Sequence, residues 1–236
     1  MLPLYFILAA VGGYLLGSIP FGLVITKAAG LGDIRAIGSG NIGATNVLRT
    51  GRKELALATL VLDAGKAGIA LFLARLIAGN EATYQLEFGL VAGFAAFIGH
   101  CFPAWLGFKG GKGVATYFGL LLVGMPPLGA VIGITWLAVA LMFRMSSLAA
   151  LVSIALAPIL ALVGGYSTSE VVCLVALAAL IAWRHSANIS RILAGTEPRI
   201  GDKKEEAAAV AATAAPAAVV AAPPEPAPPA EPTPEA

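Results

Sequence analysis

The sequence has few charged residues, only two cysteines and only two histidines. Charged residues make up 12% of the 236 residues, against about 25% in a typical soluble domain, while 58% are hydrophobic. Cys101 and Cys173 lie far apart in apolar segments, which excludes a disulfide framework and a cysteine metal site. A net charge of +2 excludes the broad basic surface that a nucleic-acid partner would require. We therefore expect an integral membrane protein with no bound metal and no cofactor.

Long uncharged segments predict the membrane spans, because about 20 apolar residues cross ~30 Å of hydrocarbon. The chain carries no charge before Lys27, and this first segment is too neutral and too long for a cleaved signal peptide. Pro126 and Pro127 divide another long segment into two helices. We predict an all-α polytopic fold, with short interfacial segments on the cytoplasmic side and seven transmembrane helices at about residues 3–26, 54–78, 85–107, 112–124, 127–144, 146–165 and 169–184.

Basic residues concentrate on one side of this predicted topology. Lys and Arg are enriched in cytoplasmic loops, and the other side carries only Arg75, beside the acidic Glu81 and Glu87. We therefore predict that the N-terminus is outside and the C-terminus inside. The basic residues on the predicted cytoplasmic side are Lys27, Arg35, Arg49, Arg52, Lys53, Lys109, Lys112, Arg144, Arg184, Arg191, Arg199, Lys203 and Lys204.

The last part of the chain differs in composition from the rest. Residues 207–236 consist almost entirely of Ala, Pro, Glu, Val and Thr, and Pro216 interrupts their one apolar stretch. Such a composition favours neither a packed core nor an eighth span. We predict a membrane catalytic domain over residues 1–201 and a disordered cytosolic tail over residues 202–236.

Three polar, glycine-rich segments fall on the predicted cytoplasmic side. They are GSGNIGATNVLR at residues 38–49, GHCFPAWLGFKGGKGVAT at 99–116 and RHSANISRILAGTEPR at 184–199. Irregular backbone at membrane depth survives only where it is packed within protein or lines a watery cavity. We therefore expect the three segments to converge on a single site.

The first segment favours an anion site. Gly38, Gly40 and Gly43 match G-x-G-x-x-G, but no strand precedes them, which excludes a dinucleotide site. Backbone N–H groups that glycine exposes before a helix still form a nest for an anion. The alternative is a polar turn that caps a surface helix. The side-chain donors here are Ser39, Asn41, Thr45, Asn46 and Arg49, of which the arginine offers a planar fork for phosphate.

The second segment combines lysines with glycines at the start of a predicted helix. It fails the pattern of a nucleotide phosphate loop, because a glycine stands where Ser or Thr must hold magnesium. Lysines among glycines still favour a phosphate, and the alternative is simple anchoring at the inner membrane surface. The candidates are Lys109, Gly110, Gly111, Lys112, Gly113 and Thr116.

The third segment places polar and charged residues on one helix face. His185 and Asn188 are three residues apart, and Arg184 and Arg191 fall near the same face. Neither histidine of the chain is followed by Asp five residues later, and no serine or cysteine has an adjacent base motif. The three segments together carry many cationic hydrogen-bond donors and few acidic residues. This combination predicts a site that binds more than one phosphate.

Ionisable residues also lie inside the predicted spans. Asp63 and Lys66 are three apart in one span, where each costs ~2.5–3.5 kcal/mol on insertion scales. Such residues are either functional or paired with each other, and the spacing allows both. His100 is equally consistent with a packed histidine and with a ligand.

All three segments resemble the signature motifs of the bacterial membrane glycerol-3-phosphate acyltransferase family that uses acyl phosphate as donor. The resemblance covers about residues 3–201 and includes LDAGK at residues 62–66. It implies transfer of a fatty acyl chain from acyl phosphate to the 1-hydroxyl of sn-glycerol 3-phosphate, which gives lysophosphatidic acid and phosphate in phospholipid synthesis. It also implies a multi-pass protein of the bacterial cytoplasmic (inner) membrane. Whether a soluble enzyme that makes the acyl phosphate docks on it stays open.

The same resemblance implies roles for individual residues. Ser39, Arg49, His185 and Asn188 are implied as catalytic, and Glu197 as a structural residue. The implied substrate-binding residues are Gly38, Gly40, Asn41, Gly43, Thr45, Asn46, Lys66, Lys109, Gly110, Gly111, Lys112, Gly113 and Thr116.

We expect the mechanism to follow from charge and placement. Lys112 and Arg49 are expected to bind phosphates, while Asn188 or Ser39 polarises the acyl carbonyl. The proton goes either to His185 or to the departing phosphate. The alternative function is an organophosphate or anion transporter, which would use the same phosphate ligands. Transporters commonly show two related halves, and no internal repeat is visible in this sequence.

Overall fold

A computed structural model describes residues 2–79 and 82–201, and this part of the chain is helical with no β-strand. Two short 3-10 turns cover Ile34–Ala36 and Ala104–Leu106. The predicted tail at residues 202–236 and Glu81 lie outside the described residues. The α-helices are α1 (Leu2–Gly17), α2 (Phe21–Ala28), α3 (Ala44–Leu48), α4 (Lys53–Ala78), α5 (Ala82–Cys101), α6 (Val114–Gly124), α7 (Pro126–Phe143), α8 (Ser146–Val163), α9 (Thr168–Arg184) and α10 (Ser186–Leu193).

The described residues contain five segments that are long and apolar enough to cross a membrane. They are Leu2–Ala28, Lys53–Ala78, Tyr84–Leu106, Pro126–Phe143 and Ser146–Val163. Helices α9 and α10, bent by 64° where they meet, count as a sixth if they are taken as one span. The all-helical, multi-pass membrane fold is therefore confirmed. The prediction of seven full-length spans is not confirmed, and the orientation of the termini stays a prediction.

The structure differs from the prediction at the expected span over residues 112–124. Helix α6 has 11 residues, which at 1.5 Å per residue reach about 16 Å, roughly half the hydrocarbon thickness. Gly113 precedes α6 with a left-handed φ of 82°, and α7 already begins at Pro126. A polar loop and a proline therefore limit the helix at its two ends.

Small residues bring the helices of the bundle close together. A Cβ atom at Gly13 or Gly17 of α1 would overlap the backbone of Ala92 or Ala96 on α5. Likewise, Gly119 of α6 lies against the backbone of α4. Close backbone approach at small residues is typical of membrane helix pairs, which gain no hydrophobic energy from leaving lipid. Helix α4 packs against α1, α5 and α6 in the middle of the bundle.

A reciprocal clamp holds the segment after α10 to the junction of α7 and α8. Arg144 donates from Nε and Nη2 to the carbonyl oxygen of Ile200 at 3.1 and 2.7 Å. The backbone N–H of Ile200 donates back to the carbonyl oxygen of Arg144 at 2.5 Å. The clamp fixes the position of residues 194–201, which carry Glu197.

Candidate active site

A cavity of about 1100 Å³ collects residues from all three polar segments. Its polar end is built by the loop before α3, the start of α6, the start of α8 and helix α10, and its remaining walls come from α4, α6 and α7. The expectation that the segments converge is therefore met in the structure. The expected site residues that line the cavity are Gly38, Ser39, Asn41, Gly43, Thr45, Asn46, Arg49, Lys112, Gly113, His185, Asn188 and Glu197.

The loop of the first segment is organised around the buried side-chain amide of Asn46. Its Nδ2 donates to the carbonyl oxygens of Ile34, Ile37 and Asn41 at 2.9, 3.1 and 2.8 Å. Its Oδ1 accepts from the backbone N–H of Ser39 at 3.0 Å. This one buried side-chain amide satisfies backbone groups that regular secondary structure would otherwise satisfy. It therefore holds the loop in a single conformation.

Three backbone N–H groups of this loop are used within the loop itself. Besides Ser39, Gly40 donates to the carbonyl oxygen of Ile37 at 3.0 Å, and Ile42 donates to Oδ1 of Asn41 at 2.9 Å. These three amides are therefore not part of an anion nest, and a nest formed by the amides at the start of α3 stays a prediction.

Arg49 is the cation that the first segment adds to the cavity. Its Nη1 donates to Oδ1 of Asn46 at 3.4 Å, and Gly38 lies directly beside it. Gly38 has a φ of 55°, a region that glycine occupies without steric cost. A Cβ atom there would approach Cδ of Arg49 to 2.8 Å. Glycine at this position therefore leaves room for the arginine.

Lys112 and Asn188 join the second segment to the third. Nζ of Lys112 donates to Oδ1 of Asn188 at 2.5 Å, and Nδ2 of Asn188 donates to Oε1 of Glu197 at 2.6 Å. Glu197 also accepts from Ser147 at 2.6 Å and from Nε of Arg191 at 2.8 Å. The carboxylate therefore fixes Asn188, which in turn places the ammonium group of Lys112.

The charges around Lys112 leave an excess of positive potential. The pKa of Lys112 is lowered to about 8, mainly by burial and also by the charges of Arg191, Arg184 and Arg49, against the opposing effect of Glu197. Burial raises the pKa of Glu197, but the hydrogen bonds from Ser147, Asn188 and Arg191 outweigh it, so that this pKa lies below its ordinary value. One carboxylate among several cations gives this end of the cavity a positive potential, which suits an anion.

His185 lies at the junction of α9 and α10 and is 3% exposed. Its Nδ1 lies 2.8 Å from the carbonyl oxygen of Ile181, so Nδ1 carries the proton and Nε2 keeps the lone pair. Burial lowers the pKa of His185 to about 4, and the charge of Lys112 also lowers it. The ring is therefore neutral at pH 7 and is a weak base.

Asp63 and Lys66 are paired with each other inside α4. Nζ of Lys66 lies 2.9 Å from Oδ1 of Asp63 and donates to the carbonyl oxygen of Ile19 at 3.0 Å. Nδ1 of His100 lies 3.6 Å from the same carboxylate oxygen. Asp63 and His100 line the cavity, whereas Lys66 does not. Pairing therefore explains why a lysine is tolerated at this depth.

Six expected substrate-binding residues lie outside the cavity lining. Gly40 and Lys109 are exposed, and Thr116 is fully buried within α6. The others are Lys66, Gly110 and Gly111. Among the described residues, no group of three or more His, Cys, Asp or Glu side chains is arranged to hold a metal ion.

Ser147 belongs to the cavity lining, although it was not among the residues predicted from the sequence. Its hydroxyl donates to Glu197 from the start of α8. A serine at the start of an apolar helix is an ordinary residue, so the sequence offered no signal beyond its place on the same predicted side as the three motifs.

The fold and the cavity define a class of protein: an all-helical integral membrane protein with a cationic site that continues into an apolar groove. The chain belongs to the glycerol-3-phosphate acyltransferase family, whose profile matches residues 7–195. It is therefore an enzyme, a membrane acyltransferase. The resemblance of the three polar segments to this family is confirmed. The comparison gives no support to the transporter alternative.

Similar proteins support the assignment over most of the chain. The glycerol-3-phosphate acyltransferase of Maricaulis maris is 61% identical over 201 residues, which cover 85% of this chain and 90% of that protein. That of Rhodospirillum rubrum is 60% identical over 201 residues, with 84% and 92% covered.

Two crystal structures of PlsY (YgiH), an integral membrane glycerol 3-phosphate acyltransferase, have the same fold. The glycerol 3-phosphate form has a TM-score of 0.75 at 35% identity and covers 84% of this chain and 97% of its own. The lysophosphatidic acid form has a TM-score of 0.73 at 35% identity, with 86% and 98% covered.

Proposed function

We propose that this enzyme transfers a fatty acyl chain from acyl phosphate to the 1-hydroxyl of sn-glycerol 3-phosphate and releases lysophosphatidic acid and phosphate. The reaction takes place at the cytoplasmic face of the bacterial inner membrane. The observation that carries the proposal is one cavity with two kinds of wall: a cationic end formed by the three motifs and an apolar groove between α4, α6 and α7.

The groove suits an acyl chain that enters from the bilayer. Leu57 of α4 and Ile134 of α7 line the cavity and are 60% and 68% exposed. Residues that are both exposed and cavity-lining mark an opening toward lipid. Along α4 the lining runs from Lys53 to Ala64, about 16 Å of helix. A donor with a long apolar chain and a small anionic head fits this shape.

The cationic end suits two phosphate groups. Arg49, Lys112 and Arg191 face the same cavity from three different chain segments. In this proposal one phosphate belongs to glycerol 3-phosphate and the other to the acyl donor. Holding both substrates in reactive geometry can supply ~7–11 kcal/mol of the barrier, and cations stabilise the negative charge on the departing phosphate.

The proposed proton acceptor is the departing phosphate. His185 is bonded through Nδ1 to a backbone carbonyl instead of a carboxylate, and its pKa of about 4 makes it a poor base. An acyl phosphate is a mixed anhydride with a good leaving group, so it needs little assistance beyond placement. His185 then positions the substrate hydroxyl through Nε2.

The test is an assay of the purified protein in detergent with glycerol 3-phosphate and one acyl donor at a time. We expect stoichiometric formation of lysophosphatidate and phosphate from palmitoyl phosphate, and no product from palmitoyl-CoA or palmitoyl-acyl-carrier protein. Product formation from either thioester, with none from palmitoyl phosphate, would contradict the proposed donor while leaving the family assignment intact.

A further inference from the structure

The two glycines before Lys112 use their backbone N–H groups within the protein. Gly110 donates to the carbonyl oxygen of Cys101 at 3.1 Å, and Gly111 donates to that of His100 at 3.0 Å. Both acceptors lie in the last turn of α5, where a helix leaves carbonyl oxygens without intrahelical partners. The two amides therefore close the end of a helix and do not contact phosphate.

The carbonyl oxygens of the same two glycines are held by one arginine. Nη2 of Arg184 donates to Gly110 at 2.8 Å, and Nε donates to Gly111 at 3.1 Å. The guanidinium group also lies 5.5 Å from the centre of the Phe102 ring. Two bonds from one planar fork fix orientation as well as distance. Arg184 itself lies outside the cavity lining.

The position of this short loop decides where the next residue points. Lys112 follows Gly111 directly, and its Nζ reaches Asn188 inside the cavity. A Cβ atom at Gly111 would overlap the ring of His100, and one at Gly110 would overlap the end of α5. The glycines are therefore required because the loop is pressed between α5 and Arg184.

We propose that Arg184 is a positioning residue that holds the Gly110–Gly111 peptide so that Lys112 reaches the phosphate of glycerol 3-phosphate. Arg184 acts through Lys112 and does not touch the substrate. This inference rests on the phosphate-binding role proposed for Lys112. It gives the glycines of the second segment a packing function and explains why the segment fails the pattern of a phosphate loop that binds with its amides.

The first measurement is steady-state kinetics of Arg184→Lys, purified in detergent and assayed with palmitoyl phosphate. Lysine keeps the charge but cannot bond two carbonyl oxygens in a plane. We expect KM for glycerol 3-phosphate to rise about tenfold, the scale of a lost charged hydrogen bond, with kcat nearly unchanged. The matched control is Arg52→Lys, which changes an exposed arginine directly before α4. This variant should leave KM unchanged. A wild-type KM in Arg184→Lys would overturn the proposal.

A double variant separates a positioning role from an independent one. If Arg184 acts through Lys112, then Lys112→Ala/Arg184→Lys has the same KM as Lys112→Ala alone, because the effects of coupled residues are not additive. A further tenfold rise in the double variant would contradict the inference. If Lys112→Ala itself leaves KM unchanged, the role proposed for Lys112 fails first. Should Arg184→Lys not purify as a folded protein, Arg184→Gln, which keeps a donor for one carbonyl oxygen, takes its place in both measurements.

Discussion

Ser39 and Asn188 are the two residues that the sequence offered as the donor to the acyl carbonyl. Asn188 accepts from Lys112 with Oδ1 and uses one of the two N–H bonds of Nδ2 for Glu197, so its side chain is held from both ends. The hydroxyl of Ser39 lines the cavity and makes only a long bond of 3.4 Å to Asn46. An oxyanion donor must be free to reach the reacting oxygen. The geometry therefore favours Ser39, and Asn188 positions Lys112.

Replacing Ser39 with alanine should lower kcat about 100-fold, because one oxyanion donor contributes about that factor. KM for glycerol 3-phosphate should change little, since the lost interaction forms in the transition state. Initial-rate kinetics at saturating palmitoyl phosphate measure both constants. Ser190→Ala is the control, because Ser190 is exposed on α10 and bonds to its own helix. An unchanged kcat in Ser39→Ala would show that another group donates the hydrogen bond to the acyl carbonyl.

The pKa of Lys112 gives a pH dependence with a definite sign. Burial lowers this pKa to about 8, so the side chain is charged below pH 8 and neutral above it. We expect KM for glycerol 3-phosphate to rise above pH 8 by about tenfold per pH unit, as the phosphate loses its partner. Lys112→Arg should remove this rise, because arginine stays charged. A wild-type KM that is flat up to about pH 10, the range of an ordinary lysine, would contradict the assignment. The charged and polar groups around Lys112 are Asn188, Glu197, Arg191, Arg184 and Arg49.

At the residue scale, the sequence predicted which residues line the cavity better than it predicted the contacts that those residues make. Polar residues in apolar surroundings identified Arg49, Lys112 and His185, because few functions other than a site explain them there. It could not show that the amide of Asn46 bonds three carbonyl oxygens, or that Ser147 reaches Glu197 across 50 residues. Such contacts depend on tertiary packing, which local pattern does not encode.

Helices α6 and α7 show that hydropathy predicts where helices are separated but not how long each one is. The uncharged run and its two prolines correctly separate the two helices. The run could not show that α6 is only 11 residues long, because apolar composition does not distinguish a full span from a short helix enclosed by others. The short α6 forms the back wall of the groove, with Phe118 and Leu122 in its lining.

Gly133 of α7 offers a test of the groove. It lines the cavity, and a Cβ atom there would meet no atom within 4 Å. Gly133→Leu should therefore fill part of the groove and lower kcat/KM for palmitoyl phosphate more than for a donor of shorter chain. Gly12→Leu is the matched control, because Gly12 has equal space but lies on α1 outside the cavity. Equal losses for long and short donors in Gly133→Leu would place the acyl chain elsewhere.

At the scale of the whole molecule, three segments separated by long helices meet in one cavity. The sequence could predict this meeting because alternate loops of a helical membrane protein share a side, and basic residues identify that side. It could not give the number of spans, since α6 is short and α9 and α10 are bent at 64°. The active-site end of the bundle therefore follows from charge distribution, while its detailed shape required the structure.

The predicted orientation is open to direct measurement. We expect a fluorescent protein fused after residue 236 to fluoresce in bacterial cells, because the distribution of basic residues predicts a cytoplasmic C-terminus. A cysteine added at residue 1 should react with a membrane-impermeant maleimide applied to spheroplasts. Unmodified Cys101 and Cys173 are buried or half-buried, and the chain without the added cysteine measures their background. Labelling that requires lysis would reverse the topology.

The proposed reaction requires two phosphate groups to bind side by side at the cationic end of one cavity. The most direct measurement is an experimental structure with glycerol 3-phosphate and a non-hydrolysable acyl phosphonate bound together. We predict that Arg49 and Lys112 contact the two phosphorus groups within the same cavity, with the acyl chain between α4 and α7. Binding of the phosphonate on a different face of the bundle, away from Arg49 and Lys112, would contradict this account.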